Sequence, residues 1–285
     1  MSVDDRVVEA WRRQHRREEF LNAHLPRPLR RLLARIYNVR PSAVTFRRGV
    51  ADRNRVSALV SARCRAAVRR GPFAGMAFPH LRPDSASKCM GSYERELHDE
   101  IERIIARAYP TVLNVGCADG YYAVGLARRM SRSKILAYDI DRHARALCRD
   151  LAEANELGPD RISVRSEMTY ETLAELCQRG TLIIADIEGA ERELLDPARV
   201  PQLADVDMLV ELHDFLIPGT EDRLRRRFAE SHFARAIDSE PRDNPMEYPE
   251  LNGLSNDDQM LALFERPVAM RWLILETRND RRRPS

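Results

Sequence analysis

Acidic side chains and one histidine follow two apolar runs in the second half of the sequence. Asp186 and Glu188 come after the run 182–185, and Glu211, His213 and Asp214 lie at the end of a second run. Such runs are typical of strands buried on both faces of a parallel sheet, whose carboxyl ends meet at one edge. We therefore expect these side chains to converge. A histidine, with an unperturbed pKa of about 6.5, can act there as a general base.

The same side chains raise the question of a metal ion. Carboxylate and imidazole groups are suitable ligands for divalent cations. No short ligand spacing enforces such a site, and the sequence has no C-x-x-C pair. A divalent cation is compatible with these residues, but no metal site is predicted.

The stretch NVGCADGYY, residues 114–122, has the pattern of a strand end, a glycine loop and a helix start. In an open parallel sheet, a loop of this kind faces the ligand crevice. A dinucleotide site would require glycine where Ala118 and Tyr121 stand. A P-loop would require Gly-Lys-Ser/Thr, which is missing here. The spacing excludes both sites and leaves another nucleotide-like ligand.

Asp139 follows the next apolar run, 23 residues after Gly116. A carboxylate at this strand end can accept hydrogen bonds from both ribose hydroxyls of a nucleoside. The alternative is a plain turn residue. Asp141 is a nearby candidate for the same role or for the cap of the following helix.

These segments together resemble a known family. The loop resembles motif I of class I S-adenosylmethionine-dependent methyltransferases, an acidic residue followed by x-G-x-G-x-G, with Asn114 and Ala118 as departures. The sequence DIEGAE at 186–191 resembles the D-h-E-G-x-E signature of the FkbM-type family, and ELHD at 211–214 fits its E-x-H segment. With GPFAGMAF and GSYERELHDEI upstream, the resemblance covers about residues 71–278.

The resemblance implies an α/β fold with a doubly wound, mostly parallel seven-stranded sheet, the Rossmann-like methyltransferase fold. It implies methyl transfer from S-adenosylmethionine, commonly to a hydroxyl of a small, specialised or sugar-containing metabolite. His213 is then the candidate general base, with Asp186 and Glu188 as catalytic partners. Because the sulfonium end of this cofactor carries no phosphate, the glycines need only admit its amino-acid moiety. Ala118 meets that requirement if its φ is negative.

The same resemblance implies which residues contact the cofactor. Tyr93 and Glu94 are candidates for its charged amino-acid end, and Glu167 for the adenine region after the third strand. The full expected set is Tyr93, Glu94, Asn114, Gly116, Cys117, Ala118, Gly120, Tyr121, Asp139, Glu167 and Asp186.

The periodicity of apolar residues predicts the order of elements that position these side chains. Helices are expected at 3–22, 29–37 and from Asp52 to Val68, forming an N-terminal helical cap over 1–70. Residues 71–110 should form a long loop, 71–92, and a helix. The methyltransferase domain should span 111–278, with an insert at 239–270 before the last strand and a flexible tail at 279–285. Its expected strands are 111–115, 134–139, 161–165, 181–186, 206–212, 232–238 and 271–278.

Composition limits the class of protein. At 44% hydrophobic and 32% charged residues, the chain is typical of globular proteins. It shows no signal-peptide pattern and no apolar run of the roughly 18 residues needed to span a membrane. Five scattered cysteines indicate free thiols in a reducing compartment. We therefore expect a cytoplasmic protein without a membrane partner.

Residues 1–70 hold 18 arginines and 6 acidic residues. This excess motivates an alternative, methylation of RNA or of a peptide. Only 6% of residues are aromatic, so stacking platforms are scarce and nucleic acid is not the expected partner. The departures at Asn114 and Ala118 motivate a second alternative, an inactive protein that binds S-adenosylmethionine. A small-molecule substrate remains the expected partner, and a homodimer through the N-terminal helices is compatible with the sequence.

Overall fold

The computed structural model describes residues 43–242, 244–266 and 269–278. The helices expected at 3–22 and 29–37 lie outside these residues, as does the tail expected at 279–285. The third helix expected for the N-terminal cap falls within them.

Seven strands form one sheet in the described part of the chain, in the order β3-β2-β1-β4-β5-β7-β6. Strands β1 to β5 pair in parallel, while β7 runs antiparallel to both of its neighbours, β5 and β6. This confirms the expected doubly wound, mostly parallel sheet and its closing antiparallel pair. The strands are β1 (Thr111–Val115), β2 (Lys134–Tyr138), β3 (Ile162–Arg165), β4 (Thr181–Ala185), β5 (Asp207–Leu212), β6 (His232–Asp238) and β7 (Arg271–Thr277).

Helices cover the sheet and connect its strands. None of those in the described ranges combines the length and apolar character needed to cross a membrane. They are α1 (Ala43–Arg63), α2 (Ser85–Met90), α3 (His98–Arg107), α4 (Tyr121–Arg129), α5 (Arg142–Ala154), α6 (Tyr170–Leu176), α7 (Glu191–Leu194), α8 (Thr220–Phe228) and α9 (Asn256–Leu263).

The apolar runs form the central strands because both faces of the sheet are covered. Every residue of β4 and β5 is buried. Alternate side chains enter two different cores: Leu182 and Ile184 pack on one face of the sheet, and Ile183 and Ala185 pack on the other. A continuous apolar run is therefore what this position in the sheet requires.

The strand order reverses between β1 and β4, which are neighbours in the sheet. From β1 the chain moves outward to β2 and β3, and then returns to β4 on the other side of β1. In open parallel sheets, such a reversal opens a ligand crevice beyond the carboxyl ends of the two strands. The loops that follow Val115 and Ala185 lie at this place.

The segment before the sheet differs in detail from the expectation. Helix α1 begins at Ala43 and ends at Arg63, so Asp52 lies inside the helix and Val68 lies beyond it. Arg65 and Ala66 take left-handed backbone conformations that end the helix. The expected long loop at 71–92 contains α2, whose six residues are all buried.

The insert at 239–270 forms short 3₁₀ turns and α9, which packs against α1. Arg55 on α1 pairs with Asp258 on α9 at 2.6 Å. Arg63 at the end of α1 donates to the carbonyl oxygens of Glu250 and Asn252. The insert is therefore attached to the segment that precedes the sheet.

Candidate functional site

His213 lies immediately after β5 and is completely buried. Four carboxylates surround its imidazole, at the adjoining ends of β4 and β5. Nδ1 is 3.0 Å from Glu191 Oε1. Nε2 faces the other three carboxylates: Glu211 Oε2 at 3.5 Å, Asp186 Oδ1 at 3.6 Å and Glu188 Oε2 at 3.6 Å. The structure thus brings the predicted catalytic residues together. Asp214, also expected there, instead accepts hydrogen bonds from the backbone amides of Gly219 and Glu221.

Glu191 fixes both the histidine and the loop after β4. Its side chain is fully buried, and its two oxygens accept hydrogen bonds from the backbone amides of Ile187 and Gly189, each at 2.8 Å. A carboxylate beside Nδ1 favours the tautomer with the proton on that nitrogen. Sequence reasoning did not select Glu191, although it is the last acidic residue of DIEGAE and thus carried a signal.

The other ring nitrogen has no hydrogen-bond partner within the described residues. Distances of 3.6 Å to Asp186 and Glu188 are too long for a hydrogen bond. One atom each from Asp186, Glu211 and His213 lies within 4.8 Å of the others. Nε2 therefore points into a group of carboxylate oxygens without bonding to them.

Burial and neighbouring charges shift the pKa values of His213 and Glu211. Burial lowers the pKa of His213, but the carboxylates of Glu191, Glu211 and Asp186 outweigh burial and raise the pKa to about 9. Burial, reinforced by Asp186, raises the pKa of Glu211 well above its ordinary value. Without a bound cation, these carboxylates favour the positively charged imidazolium, which carries a proton on both ring nitrogens. The ring could then act as a general base only after releasing one of these protons.

A second, adjoining cluster contains Glu94 and Arg266. Arg266 donates one hydrogen bond to Glu211 at 2.7 Å and another to Glu94. The remaining oxygen of Glu94 accepts a hydrogen bond from the hydroxyl of Tyr122. Glu94, expected at the amino-acid end of the cofactor, is thus held within a buried ionic network. Arg266 had no sequence signal, because it lies 55 residues after Glu211, at the end of the insert.

The glycines of the loop at 116–120 have a structural reason. Gly116 has a φ of +81°, and a Cβ there would lie 1.7 Å from the backbone oxygen of Asp186. Gly120 has a φ of +91°, and its Cβ would lie 2.8 Å from Cys148 Sγ. The expectation that the glycines serve only ligand approach was incomplete. They also let the loop pack against the end of β4 and against α5.

Ala118 differs from the expectation. Its φ is +47°, in the left-handed region, and not negative. Its amide donates to Asp139 Oδ2 at 3.0 Å, which holds the loop against the end of β2. The position therefore favours the glycine of motif I, and alanine occupies it at a cost of about 1 kcal/mol or more.

Asp139 is buried and accepts hydrogen bonds from two backbone amides, those of Ala118 and Asp141. Asp141 accepts from the amide of His143 at 2.8 Å and caps α5. The apolar side chain between them, Ile140, is 43% exposed.

The other expected cofactor contacts are divided between the crevice and the core. Asn114 is buried near the end of β1, and its Oδ1 has no hydrogen-bond partner in the part of the chain described. Cys117 is buried within the loop. The ring of Tyr121 packs in the core, 5.2 Å from Phe73. Glu167 is exposed after β3, two strands from β1.

Tyr93 contacts the same core. Its ring lies 5.3 Å from that of Tyr121, and the Lys88 ammonium lies 5.0 Å from the ring centre. Lys88 also bonds to Asp119 of the glycine loop at 2.6 Å. Tyr93 thus belongs to the buried side chains that pack around Lys88, which in turn bonds to the glycine loop.

The chain matches no family model and no curated protein. Among solved structures, a candidate O-methyltransferase from Klebsiella pneumoniae is 12% identical, covering 87% of this chain and 94% of its own, with a TM-score of 0.43. An O-methyltransferase from Bacillus cereus in complex with SAH is 12% identical, covering 86% and 96%, with a TM-score of 0.41. A candidate tRNA (m1A22) methyltransferase from Streptococcus pneumoniae, in complex with S-adenosyl-L-methionine, is 16% identical, covering 63% and 72%, with a TM-score of 0.43. At such low identities and scores these likenesses carry no conclusion about activity, and the fold assignment rests on the strand order of the chain itself.

Proposed function

We propose that the protein transfers a methyl group from S-adenosylmethionine to a hydroxyl of a small-molecule metabolite. The observation that carries the proposal is the loop at 116–120. It is bound by Asp139 at the strand-order reversal, and its Gly116 packs against the backbone of Asp186, whose side chain faces His213. The proposed nucleoside site and a group of acid–base side chains would thus share one crevice.

Three features around the loop suit this cofactor. The Asp139 carboxylate lies at the end of β2, where it would accept hydrogen bonds from the ribose hydroxyls, and the exposed Ile140 beside it offers an apolar surface for the adenine ring. The buried Oδ1 of Asn114 lacks a hydrogen-bond partner within the described residues and can accept one from the cofactor's ammonium group. An amide oxygen suits that donor although it carries no charge.

The acceptor would lie between the loop and the cluster around His213. S-adenosylmethionine supplies a methyl group on a positively charged sulfur. The acceptor oxygen forms the new C–O bond, the C–S bond breaks with its electron pair left on sulfur, and the hydroxyl proton leaves to a base. Asp186 and Glu188 would orient the acceptor, and the surrounding carboxylates favour loss of the proton to this cluster.

Within this class we place the protein among the FkbM-type enzymes, which commonly methylate hydroxyls of specialised or sugar-containing metabolites. The support is the signature at 186–191, each of whose three acidic residues lies beside His213. A purely structural turn after β4 would not require all three carboxylates around one imidazole.

The proposal is tested by binding of S-adenosylhomocysteine to Asp139→Asn. Asparagine keeps an acceptor oxygen for the loop but removes the charge that strengthens hydrogen bonds to the ribose. The variant should bind roughly 10- to 100-fold more weakly. Asp150→Asn, an exposed change on α5, is the matched control and should bind as the unaltered protein does. Equal binding by both variants would contradict the assignment of the nucleoside site.

A further inference from the structure

We propose that Asp186, Glu211 and His213 bind one divalent cation of the first transition row, with Glu188 as a fourth ligand. His213 Nε2 would be the nitrogen ligand, and one oxygen of each carboxylate would complete the site. The proposed site lies at the adjoining carboxyl ends of β4 and β5, beside the crevice that the glycine loop lines.

The spacing of the donor atoms fits a common ion. Nε2 lies 3.5 Å from Glu211 Oε2 and 3.6 Å from both Asp186 Oδ1 and Glu188 Oε2. Two ligand atoms about 2.1 Å from one ion, at a tetrahedral angle, are about 3.4 Å apart. The observed separations are too long for hydrogen bonds but close to those of ligands that share a cation.

The histidine is oriented as a metal ligand. Glu191 holds Nδ1 at 3.0 Å and itself binds two loop amides, so the ring is fixed. A carboxylate that holds one ring nitrogen while the other faces a metal is a recurring arrangement in metalloproteins. Nε2, fully buried and without a hydrogen-bond partner in the described part of the chain, points into the carboxylates.

The charge in this region favours a cation. Four carboxylates surround His213, while Arg266 divides its two terminal nitrogens between Glu211 and Glu94. Buried charges of one sign are costly unless opposite charge or a metal accompanies them. A divalent ion would bring two further positive charges to the place where Nε2 and three carboxylates meet.

The donor set indicates which ions fit. Magnesium and calcium prefer sites made only of oxygen, whereas imidazole suits first-row transition metals. One imidazole with two or three carboxylates therefore favours ions such as Mn²⁺ or Zn²⁺. If the proposed methyl transfer holds, an acceptor oxygen bound to this ion would lose its proton more easily. His213 would then serve as a ligand and not as the general base.

The test is metal binding by the full chain, measured without substrate. The protein is stripped with EDTA and dialysed against Mn²⁺ and, separately, against Zn²⁺, and bound metal is counted by atomic absorption. We expect one ion per chain for at least one of the two metals. Less than a tenth of an ion per chain for both metals would overturn the proposal.

Variants separate a built site from loose surface binding. Asp186→Asn and His213→Gln should each weaken binding at least tenfold, whereas Glu193→Gln, an exposed change on the same short helix as Glu191, should not. Asp186 is 29% exposed, so its variant keeps the test valid if His213→Gln fails to fold. Equal binding by Asp186→Asn and the control would overturn the site.

Binding of S-adenosylhomocysteine, measured on the same stripped protein, separates this inference from the proposed function. If the protein binds the metal but not S-adenosylhomocysteine, the cation site is supported and the proposed methyl transfer is contradicted. If it binds only S-adenosylhomocysteine, the proposed cation site is contradicted.

Discussion

At the scale of single residues, the candidate site is marked by unusual backbone conformations. Glu94, Ala118 and Glu188 all have positive φ values, between +46° and +54°. Such conformations cost free energy in residues other than glycine and persist where the surrounding structure holds them. Here Glu94 is held by its ion pair with Arg266, Ala118 by the Asp139 carboxylate, and Glu188 by the cluster around His213.

Ala118→Gly should stabilise the protein by up to about 1 kcal/mol, because glycine takes a φ of +47° without the strain that a Cβ causes. Urea unfolding measures the change. Ala146→Gly, at an exposed position inside α5, is the control and should destabilise by about 0.5–1 kcal/mol. A loss of stability in Ala118→Gly equal to that of the control would show that the left-handed conformation carries no strain.

At the scale of elements, the apolar runs allowed the strands and the meeting of their ends to be predicted. Asp186, Glu188, Glu211 and His213 follow from that rule, because parallel strands place their carboxyl ends at one edge. The position of Arg266 beside the site could not be predicted, because nothing in the composition of the insert indicates which part of the sheet its end contacts. Helix α2 was missed because Gly, Pro and Ser around it signal a loop, whereas tertiary burial stabilises the helix.

The end of the insert also contains a buried acid whose titration should be visible. Burial raises the pKa of Glu265 to about 8, although Arg242 and Arg266 act in the opposite direction. The folded state therefore binds a proton that the unfolded state has already released above its pKa of about 4.5. This contribution to stability is complete below pH 4.5 and is lost as the pH rises through about 8.

Glu265→Gln should flatten the pH dependence of stability in that window, because glutamine cannot lose a proton. Between pH 5 and pH 8, the free energy of unfolding of the unaltered protein should fall as the pH rises. In the variant this fall should be smaller, by at most about 1.4 kcal/mol per pH unit. Thermal unfolding at several pH values measures the slope. Glu240→Gln, an exposed change in the same insert, should leave the slope unaltered. Parallel curves for Glu265→Gln and the unaltered protein would contradict the shifted pKa.

At the scale of the whole molecule, the segment before the sheet is joined to the site and to the insert. Lys88 on α2 is buried between Asp84 and Asp119, at 2.7 Å and 2.6 Å, and so ties the segment to the glycine loop. Arg55 and Arg63 on α1 hold the insert. In the described part of the chain, these arginines of the basic leading segment serve internal contacts, which the charge count alone did not show.

The central claim is that the crevice between β1 and β4 binds S-adenosylmethionine. Calorimetric titration of the full chain with S-adenosylhomocysteine tests it most directly, because binding requires no knowledge of the acceptor. We predict one ligand per chain and, at a hundredfold excess over Kd, a stabilisation of about 2.7 kcal/mol, seen as a rise in Tm of roughly 5 °C. No heat of binding together with an unchanged Tm would contradict the account.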